Sequence, residues 1–428
     1  MKKNNQIFNF AKKIIDHPRS LSGNGVRETL KDIKKVLPKL NIKNFKTGKK
    51  VFDWKIPLEW NVDDAYIVKP DGKKICEFSK NKLHLVGYSI PINKFINKKK
   101  LLTKLHSLPK LKNAIPYITS YYKKDWGFCI KHSEKLRLKN GNYKVFINSK
   151  HKKGVLNYGE IFIKGKSNKE ILLSTYVCHP QMANNEISGI SVVTYLAKWI
   201  KSKKRNFSYR ILFIPETIGS IAYIHKNFNK LKKNLIAGFV VTCVGDEKKF
   251  SYIPSRNGNT LSDFVAKKIL KNNKKNYITY SWLDRGSDER QFCAPNIDLP
   301  ICSITKSKYG KYKEYHNSLD RLGTVVTEKG LYESFKIYQK CIDYLEKNFD
   351  KKFFIPINNS FCEPQLSKRK LYPPTSTLKT AEKVKSMMNV LSYVDGKNSI
   401  IEIANLCHLS KLEVKKKLVI FKKLNLIK

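Results

Sequence analysis

The feature that most constrains the fold is a regular alternation, after Pro109, of short apolar runs with longer amphipathic runs. The short runs have the length and the β-branched and aromatic content of strands, whereas the longer ones carry apolar residues at helical spacing. Strands that alternate with helices form a mostly parallel sheet with helices on both faces. The sequence therefore predicts the α/β class. The strand-like runs are YKVFINS, GEIFIKG, ILLSTYVC, YRILFIP, GFVVTCV and LPICSIT, and the helical runs are GISVVTYLAKWIKS, GSIAYIHKNFNKL, LSDFVAKKILKN and EKGLYESFKIYQKCIDYLEKNF.

The remaining segments predict two further domains. Residues 51–106 contain short β-rich runs separated by turns, which indicates a small β domain. Residues 351–374 are rich in proline and polar residues, and the three short helical patterns beyond them, with Ser410 as an N-cap, are typical of a winged helix. We therefore predict an α/β domain over 1–50 and 107–352, an inserted β domain over 51–106, and a winged-helix domain over 360–428.

The formal net charge of +51 raises the question of a nucleic-acid partner. The basic residues, however, are mostly lysines spread along the whole chain, which indicates a lysine-biased background rather than one basic face. The last helical pattern also offers no Arg, Asn or Gln to read base edges apart from Asn425 near its end. We expect the winged helix to serve packing or protein contacts, and we do not expect nucleic acid as a partner.

Cysteine usage and hydropathy bear on the cellular compartment. The nine cysteines are scattered and lack CxxC spacing, which favours a reducing environment over a disulfide framework. No apolar run reaches the roughly 18 residues of a membrane span, and the first 17 residues are typical of an amphipathic helix rather than of a signal peptide. We expect a cytoplasmic protein without a membrane span. The sequence leaves homo-oligomerisation open.

The stretch ILLSTYVCHPQMANNEISG, from Ile171 to Gly189, places a histidine directly after a predicted buried strand. Ligands of open α/β sheets bind outside the carboxyl ends of the strands, so His179 is presented where chemistry usually occurs. Similar positions hold Glu216 after YRILFIP, the loop SWLDRGSDERQF, and His316 in KEYHNSLDRL. Two histidines and a carboxylate could form an open zinc site with a glutamate as general base. Each residue alone is also compatible with a structural role, as a satisfied histidine or a helix-terminal carboxylate.

The order of these motifs resembles the M28-type zinc aminopeptidases. The longer signatures CHPQMANNEISG, PETIGSIAYI, RGSDERQF and YHNSLD are more closely similar to the aminopeptidase-like family catalogued as the domains of unknown function DUF2172 and DUF4910. The resemblance covers essentially the whole chain. It implies an M28-like α/β fold with an inserted β domain and a carboxyl-terminal winged helix, which matches the three predicted domains.

The resemblance implies a role for each matching residue. His179 and His316 fall where the family has zinc ligands, and Glu216 falls at the position of the general base. Tyr315 falls where some M28 enzymes have a phenol that stabilises the oxyanion. The implied activity is that of a zinc-dependent aminopeptidase.

The chain departs from this pattern at four positions. The bridging aspartate of the two-zinc enzymes is Asn185, the second glutamate of their Glu-Glu pair is Thr217, and the later aspartate ligand is lost near Thr242. The acid that usually follows the first histidine by two residues is Gln181. These departures predict one zinc ion rather than two.

The predicted zinc ligands are His179, His316 and the side-chain carbonyl of Asn185, with the adjacent Glu186 as the rival third ligand. An asparagine brings no charge, so this set would bind zinc more weakly than two histidines and a carboxylate.

The loop of RGSDERQF supplies candidate substrate-binding residues. Asp288 or Glu289 could hold an α-amine and Arg285 a carboxylate, although a local ion-pair cluster would need the same residue types. The sequence as a whole predicts a zinc-dependent aminopeptidase-like hydrolase that acts on peptides or amino-acid amides. Two alternatives stay open: a catalytically altered homologue that binds an amino-acid or amino-sugar derivative, and a winged-helix nucleic-acid-binding protein.

Overall fold

The computed structural model describes residues 3–273, 276–348, 358–359, 363–369, 371, 378–396 and 398–427. The chain divides into two compact units. The larger comprises Met1–Gly258 and Ser262–Asp343, and the smaller comprises Asn259–Leu261 and Tyr344–Lys428. Among the described residues, none of the helices combines the length and the apolarity that a membrane span requires.

The strands of the described residues are β1 Asn41–Lys46, β2 Lys50–Val51, β3 Trp54–Lys55, β4 Glu59–Val68, β5 Lys74–Ile75, β6 Ile92–Asn97, β7 Leu105–His106, β8 Phe128–Cys129, β9 Asn142–Lys152, β10 Val155–Ile163, β11 Glu170–Tyr176, β12 Ser208–Ile214, β13 Leu235–Val240, β14 Ser251–Ile253, β15 Ile278–Thr279 and β16 Ile301–Thr305.

The α-helices of the described residues are α1 Lys3–Ile14, α2 Asn24–Val36, α3 Lys98–Leu102, α4 His132–Leu136, α5 Ser188–Lys201, α6 Ile218–Asn234, α7 Leu261–Lys271, α8 Glu289–Phe292, α9 Glu328–Lys347, α10 Leu378–Ser392, α11 Ile400–Leu406 and α12 Lys411–Lys423.

The larger unit is built around an eight-stranded sheet of order β1-β10-β12-β11-β13-β16-β14-β15. The four central strands β12, β11, β13 and β16 run parallel, whereas β1, β10 and β14 pair antiparallel at the two sides. All seven residues of β11 are buried, as expected for a central parallel strand with both faces covered. This arrangement confirms the predicted α/β class with its mostly parallel sheet.

A second, four-stranded sheet of order β5-β4-β9-β6 is entirely antiparallel. Three of its strands come from the predicted β segment 51–106, and the fourth is β9, Asn142–Lys152. The run YKVFINS therefore belongs to this sheet and not to the large one, so the sheet extends beyond the range predicted for the inserted domain. Its buried residues, among them Trp60 and Val145, share one apolar core with Leu172 and Leu212 of the large sheet.

The smaller unit contains the three helices α10, α11 and α12 predicted beyond residue 374. The predicted N-cap Ser410 accepts a hydrogen bond from the backbone N–H of Glu413, whose carboxylate accepts one from the N–H of Ser410 in return. Ser399 and Glu402 form the same reciprocal cap on α11. The helices enclose their own apolar core, which includes Val390, Ile403, Val414 and Phe421.

Candidate active site

The central strand β11 leads directly to His179. The strand ends at Tyr176, and the backbone of Val177 still bonds to β12 through the carbonyl of Ile214 at 3.1 Å. His179 is only 4% exposed, and its carbonyl accepts a hydrogen bond of 2.9 Å from Nε of Arg19. The histidine that the sequence singled out is thus fixed at the carboxyl edge of the sheet.

The Nδ1 side of His179 faces a buried ion pair. Nδ1 lies 2.8 Å from Oε2 of Glu186, and Oε1 of Glu186 lies 3.7 Å from Nε of Arg19. Burial, followed by the nearby Arg19 charge, lowers the pKa of His179 to about 3. Burial also raises the pKa of Glu186, while Arg19 opposes that rise. The Arg19–Glu186 ion pair favours the tautomer of the neutral imidazole that donates Nδ1–H to Glu186 and keeps its lone pair on Nε2.

The Nε2 side of His179 faces Glu216, whose Oε2 lies 3.5 Å away. Glu216 follows β12, and its backbone N–H bonds to the buried thiol of Cys178 at 3.3 Å. About 20% of its side chain is exposed, so Glu216 is more accessible than His179. Burial raises the pKa of Glu216, with the Asp288 charge as the next contribution. A carboxylate that has a raised pKa and lies next to a neutral imidazole has the properties of a general base.

His316 completes this face of the site. Its ring centroid lies 5.4 Å from that of His179, and its buried Nε2 has no hydrogen-bond partner among the described residues. Burial lowers its pKa to about 3, with His179 as the second cause. The ring stacks on Tyr315 at 3.9 Å, and the ring of Tyr117 contacts both histidines at 5.1 and 5.2 Å. The structure thus brings His179, Glu216, Tyr315 and His316 together.

Asn185 lies in a π-helical turn, Ala183–Ile187, that connects to α5. Its Oδ1 accepts a hydrogen bond of 2.8 Å from the hydroxyl of Tyr176, and the thiol of Cys243 lies 3.6 Å away. Its Nδ2 has no partner among the described residues. Both the Tyr176 hydroxyl and the Cys243 thiol donate to this oxygen, so a further ligand would have to displace the longer bond from Cys243.

A carboxylate that the sequence interpretation did not single out fixes this turn. The two oxygens of Asp320 accept hydrogen bonds of 2.7 and 3.0 Å from the backbone N–H groups of Asn184 and Asn185. Burial raises the pKa of Asp320 to about 7, against the lowering effect of those two bonds. Asp320 ends the signature YHNSLD, so the same segment supplies His316 and the anchor of the opposite loop.

A second polar cluster lies beside Glu216. Thr217 has a φ of 63°, which is strained for a β-branched residue. Its N–H donates to Oδ1 of Asp288 at 2.8 Å, and its hydroxyl accepts a bond of 2.7 Å from Nη2 of Arg290. Asp288 is fully buried, and burial raises its pKa to about 7. The carboxylate therefore fixes the Glu216–Thr217 turn.

The three predicted substrate-binding residues have different surroundings. Asp288 is buried against Thr217 and the hydroxyl of Ser220, which donates to it at 2.9 Å. Glu289 is also buried and accepts bonds from the backbone of Gly286 and Ser287 at 2.9 and 3.1 Å and from the hydroxyl of Tyr309. Arg285 is exposed and lies over the ring of Trp282 at 4.9 Å. Their predicted roles toward a substrate stay predictions.

The side chains around His179 offer metal-ligand atoms on two sides of its ring. Within the described residues, Cys178, His179 and Glu186 are the one group of three His, Cys, Asp or Glu side chains whose ligand atoms all lie within 4.8 Å of one another. This group uses Nδ1 of His179, which is already matched to Glu186 and Arg19. On the other side, His179 and His316 present neutral imidazoles, and the orphaned Nε2 of His316 lacks the partner that a buried polar atom normally has.

The chemistry of these donors, two neutral imidazoles beside one carboxylate, suits one metal ion and lacks the carboxylates that a second ion needs. The second ion of the M28 enzymes would need carboxylates where this chain has Thr217 and Thr242. Thr242 instead donates its hydroxyl to the carbonyl of Asn185 at 2.9 Å or to the Tyr176 hydroxyl at 2.6 Å. Neutral hydroxyls at both places leave a second divalent ion without charged ligands.

Comparison with known proteins gives the family. The model of the domain of unknown function DUF4910 matches residues 8–348, and a winged helix-turn-helix model matches residues 355–428. The chain belongs to the DUF4910 family. A Clostridium acetobutylicum protein, whose name refers to polysaccharide biosynthesis and an aminopeptidase-like domain, is 40% identical over 402 residues, 93% of this chain and 90% of its own length.

Solved structures agree with this assignment. A crystal structure named as a peptidase from Clostridium acetobutylicum shares 38% identity with a TM-score of 0.80, over 100% of this chain and 96% of that one. A zinc aminopeptidase from Bacillus subtilis is similar at a TM-score of 0.59 and 12% identity, over 81% of this chain and 97% of that one. An M28 peptidase precursor from Shewanella amazonensis is similar at a TM-score of 0.56 and 11% identity, over 81% of this chain and 94% of that one. The last two show that this DUF4910 member has the M28 aminopeptidase fold.

Proposed function

We propose that this DUF4910 protein is a metal-dependent, aminopeptidase-like hydrolase that removes N-terminal amino acids from peptides or related amides. The observation that carries the proposal is the arrangement around Nε2 of His179. Oε2 of Glu216, whose side chain is partly exposed, lies 3.5 Å from it, and the buried Nε2 of His316, on the neighbouring ring, has no partner among the described residues. A base beside two neutral imidazoles is the donor set of a hydrolytic metal site.

In this proposal each side chain has a defined task. His179 and His316 would hold one zinc ion, with an oxygen of Asn185 as the third ligand. When bound, such an ion lowers the pKa of water and polarises a substrate carbonyl. Glu216 takes the proton of the attacking water and passes it to the leaving amine. Tyr315, stacked on His316, places its hydroxyl to donate to the developing oxyanion.

The surroundings support these tasks. Glu186 accepts the Nδ1–H of His179 and so orients Nε2 toward the reacting side. In this arrangement Glu186, the rival third ligand, orients the His179 ring and does not bind the metal. The rings of Tyr117, Tyr176 and Tyr315 surround the two imidazoles and exclude water from them.

A second candidate function is binding, or a different hydrolysis, of an amino-sugar or amino-acid derivative. One observation favours it: the relative of 40% identity is named for polysaccharide biosynthesis. The neutral Asn185 in place of a carboxylate would also weaken a metal and, with it, peptidase activity. A nucleic-acid function of the winged helix would instead give a duplex affinity that falls steeply with salt.

The test combines metal content with turnover. Protein purified without chelator should contain close to one zinc per chain, and His316→Ala should lose it, while His225→Ala, an exposed histidine outside the site, should keep it. Glu216→Gln should retain the fold and the metal but lose about 10²–10⁴ in the rate on aminoacyl arylamides and dipeptides. Two metals per chain, full occupancy in His316→Ala, or undiminished turnover in Glu216→Gln would each overturn the proposal.

A further inference from the structure

The arginine beside the base has no acidic partner. Nη2 of Arg290 donates to the hydroxyl of Thr217 at 2.7 Å, the residue next to Glu216. Within the described residues, no carboxylate oxygen lies within 4.0 Å of the Arg290 guanidinium, whereas Arg210 and Arg256 are each paired with a carboxylate. A guanidinium has five donors, and one bond to Thr217 leaves the others for a ligand.

Contacts of the neighbouring residues fix the position of Arg290. Arg290 lies in α8, between Asp288, which bonds the N–H of Thr217, and Phe292, which is fully buried. The strained Thr217 backbone, with φ 63°, is thereby held from both its N–H and its hydroxyl. The second oxygen of the fully buried Asp288 has no hydrogen-bond partner among the described residues. Strain and an unsatisfied buried group at one turn are typical of functional sites.

The charge of Arg290 acts on the reacting groups. Burial raises the pKa of Glu216, of Asp288 and of Tyr315, and the charge of Arg290 opposes each of these rises. The exposed guanidinium, bonded to the residue that follows the base, therefore places a positive charge at this edge of the site. An N-terminal ammonium of a substrate would be repelled by this charge, whereas a carboxylate would be attracted.

We propose that Arg290 binds the free carboxylate of a short substrate, so that the preferred substrates are dipeptides rather than long peptides or carboxyl-blocked amides. In a dipeptide the carboxylate lies on the leaving side of the scissile amide, a few bonds from the carbonyl that Glu216 serves. A planar guanidinium matches a carboxylate with two parallel hydrogen bonds. This inference rests on the proposed hydrolase function, and it names the substrate class of that same site.

The experiment measures binding separately from turnover. Isothermal titration of Leu-Gly and of its carboxyl amide Leu-Gly-NH₂ is carried out on the full-length, zinc-loaded protein with Glu216→Gln, which stops hydrolysis. The free dipeptide should bind at least about tenfold more tightly than the amide, because a hydrogen-bonded charge pair contributes that much. Adding Arg290→Gln should abolish this difference, with little change for the amide.

Arg285→Gln tests the rival residue, since the sequence analysis assigned the substrate carboxylate to Arg285, an exposed arginine of the same loop that lies over Trp282. It should keep the tenfold preference for the free dipeptide. Equal binding of the two probes, an equal loss for both probes in Arg290→Gln, or the same effect in Arg285→Gln would overturn the inference. Displacement of the dipeptide by millimolar inorganic phosphate at Arg290 would also overturn it, in favour of a phosphorylated ligand.

The inference and the hydrolase proposal can fail independently. If the protein with Glu216 intact does not cleave Leu-Gly, but the preference for the free dipeptide is present and depends on Arg290, the carboxylate site stands and the proposed hydrolysis falls. If Leu-Gly and Leu-Gly-NH₂ are hydrolysed with equal KM, and Arg290→Gln changes neither KM, the hydrolase stands and the carboxylate site falls.

Discussion

Replacing Arg19 with methionine tests the buried ion pair behind His179. The Arg19 side chain is 0% exposed and donates to the carbonyls of Ile15 at 3.1 Å and His179 at 2.9 Å, and also to that of Ile14. Its Nε lies 3.7 Å from the Glu186 carboxylate. Methionine retains much of the apolar stem but provides no donor. The variant therefore leaves three carbonyls without this donor and Glu186 without its counter-charge.

The expected cost follows from these contacts. Removing one partner of a buried ion pair costs about 3–5 kcal/mol, and orphaned acceptors add to it unless water reaches them. Part of the loss is avoided because burial raises the pKa of Glu186, so the carboxyl takes up a proton once Arg19 is gone. We expect a loss of about 3–5 kcal/mol in the free energy of unfolding, or roughly 5–10 °C in the Tm of the larger unit.

The pH dependence has a definite sign. Removing Arg19 removes a contribution that lowers the pKa of Glu186, so the folded variant holds a proton there more tightly than the wild type does or than the unfolded chain does with its ordinary carboxyl pKa of 4.5. Stability from this proton is fully present below that value and is lost as the pH rises toward the raised folded pKa. The destabilisation by Arg19→Met should therefore be larger at pH 8 than at pH 5.

Scanning calorimetry of Arg19→Met, Glu186→Gln and the double variant measures these quantities. The double variant should be more stable than the sum of the single losses predicts, by about 1–3 kcal/mol. Arg256→Met is the control, because its ion pair with Asp298 at 2.6 Å is partly exposed and should contribute at most about 1 kcal/mol. Strict additivity, or a loss no larger than that of Arg256→Met, would refute the reasoning.

Three further predictions concern the site. Asn185→Asp should tighten zinc binding in a chelator titration, while Glu186→Gln should weaken it only about 10–100-fold by releasing the His179 ring; an unchanged affinity of Asn185→Asp would exclude that oxygen as a ligand. Asp288→Asn should shift the acidic limb of the kcat/KM profile to lower pH, because the Asp288 charge raises the pKa of Glu216. Asp320→Asn should cost about 1–3 kcal/mol in denaturant unfolding, since an amide cannot accept from both N–H groups it now bonds.

The sequence predicted the strands and helices of the fold better than it predicted which strands pair. The central strands were found because they are continuous apolar runs, and β11 is indeed buried throughout. The run YKVFINS was placed with them, but its alternate residues Tyr143, Val145 and Ile147 are buried while its intervening residues are more exposed. Such alternation is typical of an antiparallel strand with one covered face. The periodicity of the run, read strictly, would have separated it from the parallel sheet.

For the candidate site, too, the sequence predicted some residues and missed others. His179, Glu216 and His316 could be brought together from the sequence because carboxyl ends of parallel strands meet at one edge. Arg19 could not, since it contacts His179 across 160 positions of chain and no spacing rule relates the two. Arg290 was passed over in favour of Arg285, although both lie in one loop, because residue type alone does not tell which arginine faces Glu216. That choice depends on the backbone of α8.

The site combines a loss of metal-binding carboxylates with a positive charge on Arg290. Relative to the two-metal pattern, the chain replaces carboxylates with Asn185, Thr217 and Thr242, so a second divalent ion would meet neutral oxygens. Positive charge is nevertheless retained, because Arg290 bonds to the hydroxyl of Thr217, beside the base. A guanidinium, unlike a second ion, needs no protein carboxylates to hold it and can offer its free donors to a ligand. Arg290 thus supplies positive charge in a site without ligands for a second metal, and its free donors favour short substrates whose carboxylate lies near the scissile amide.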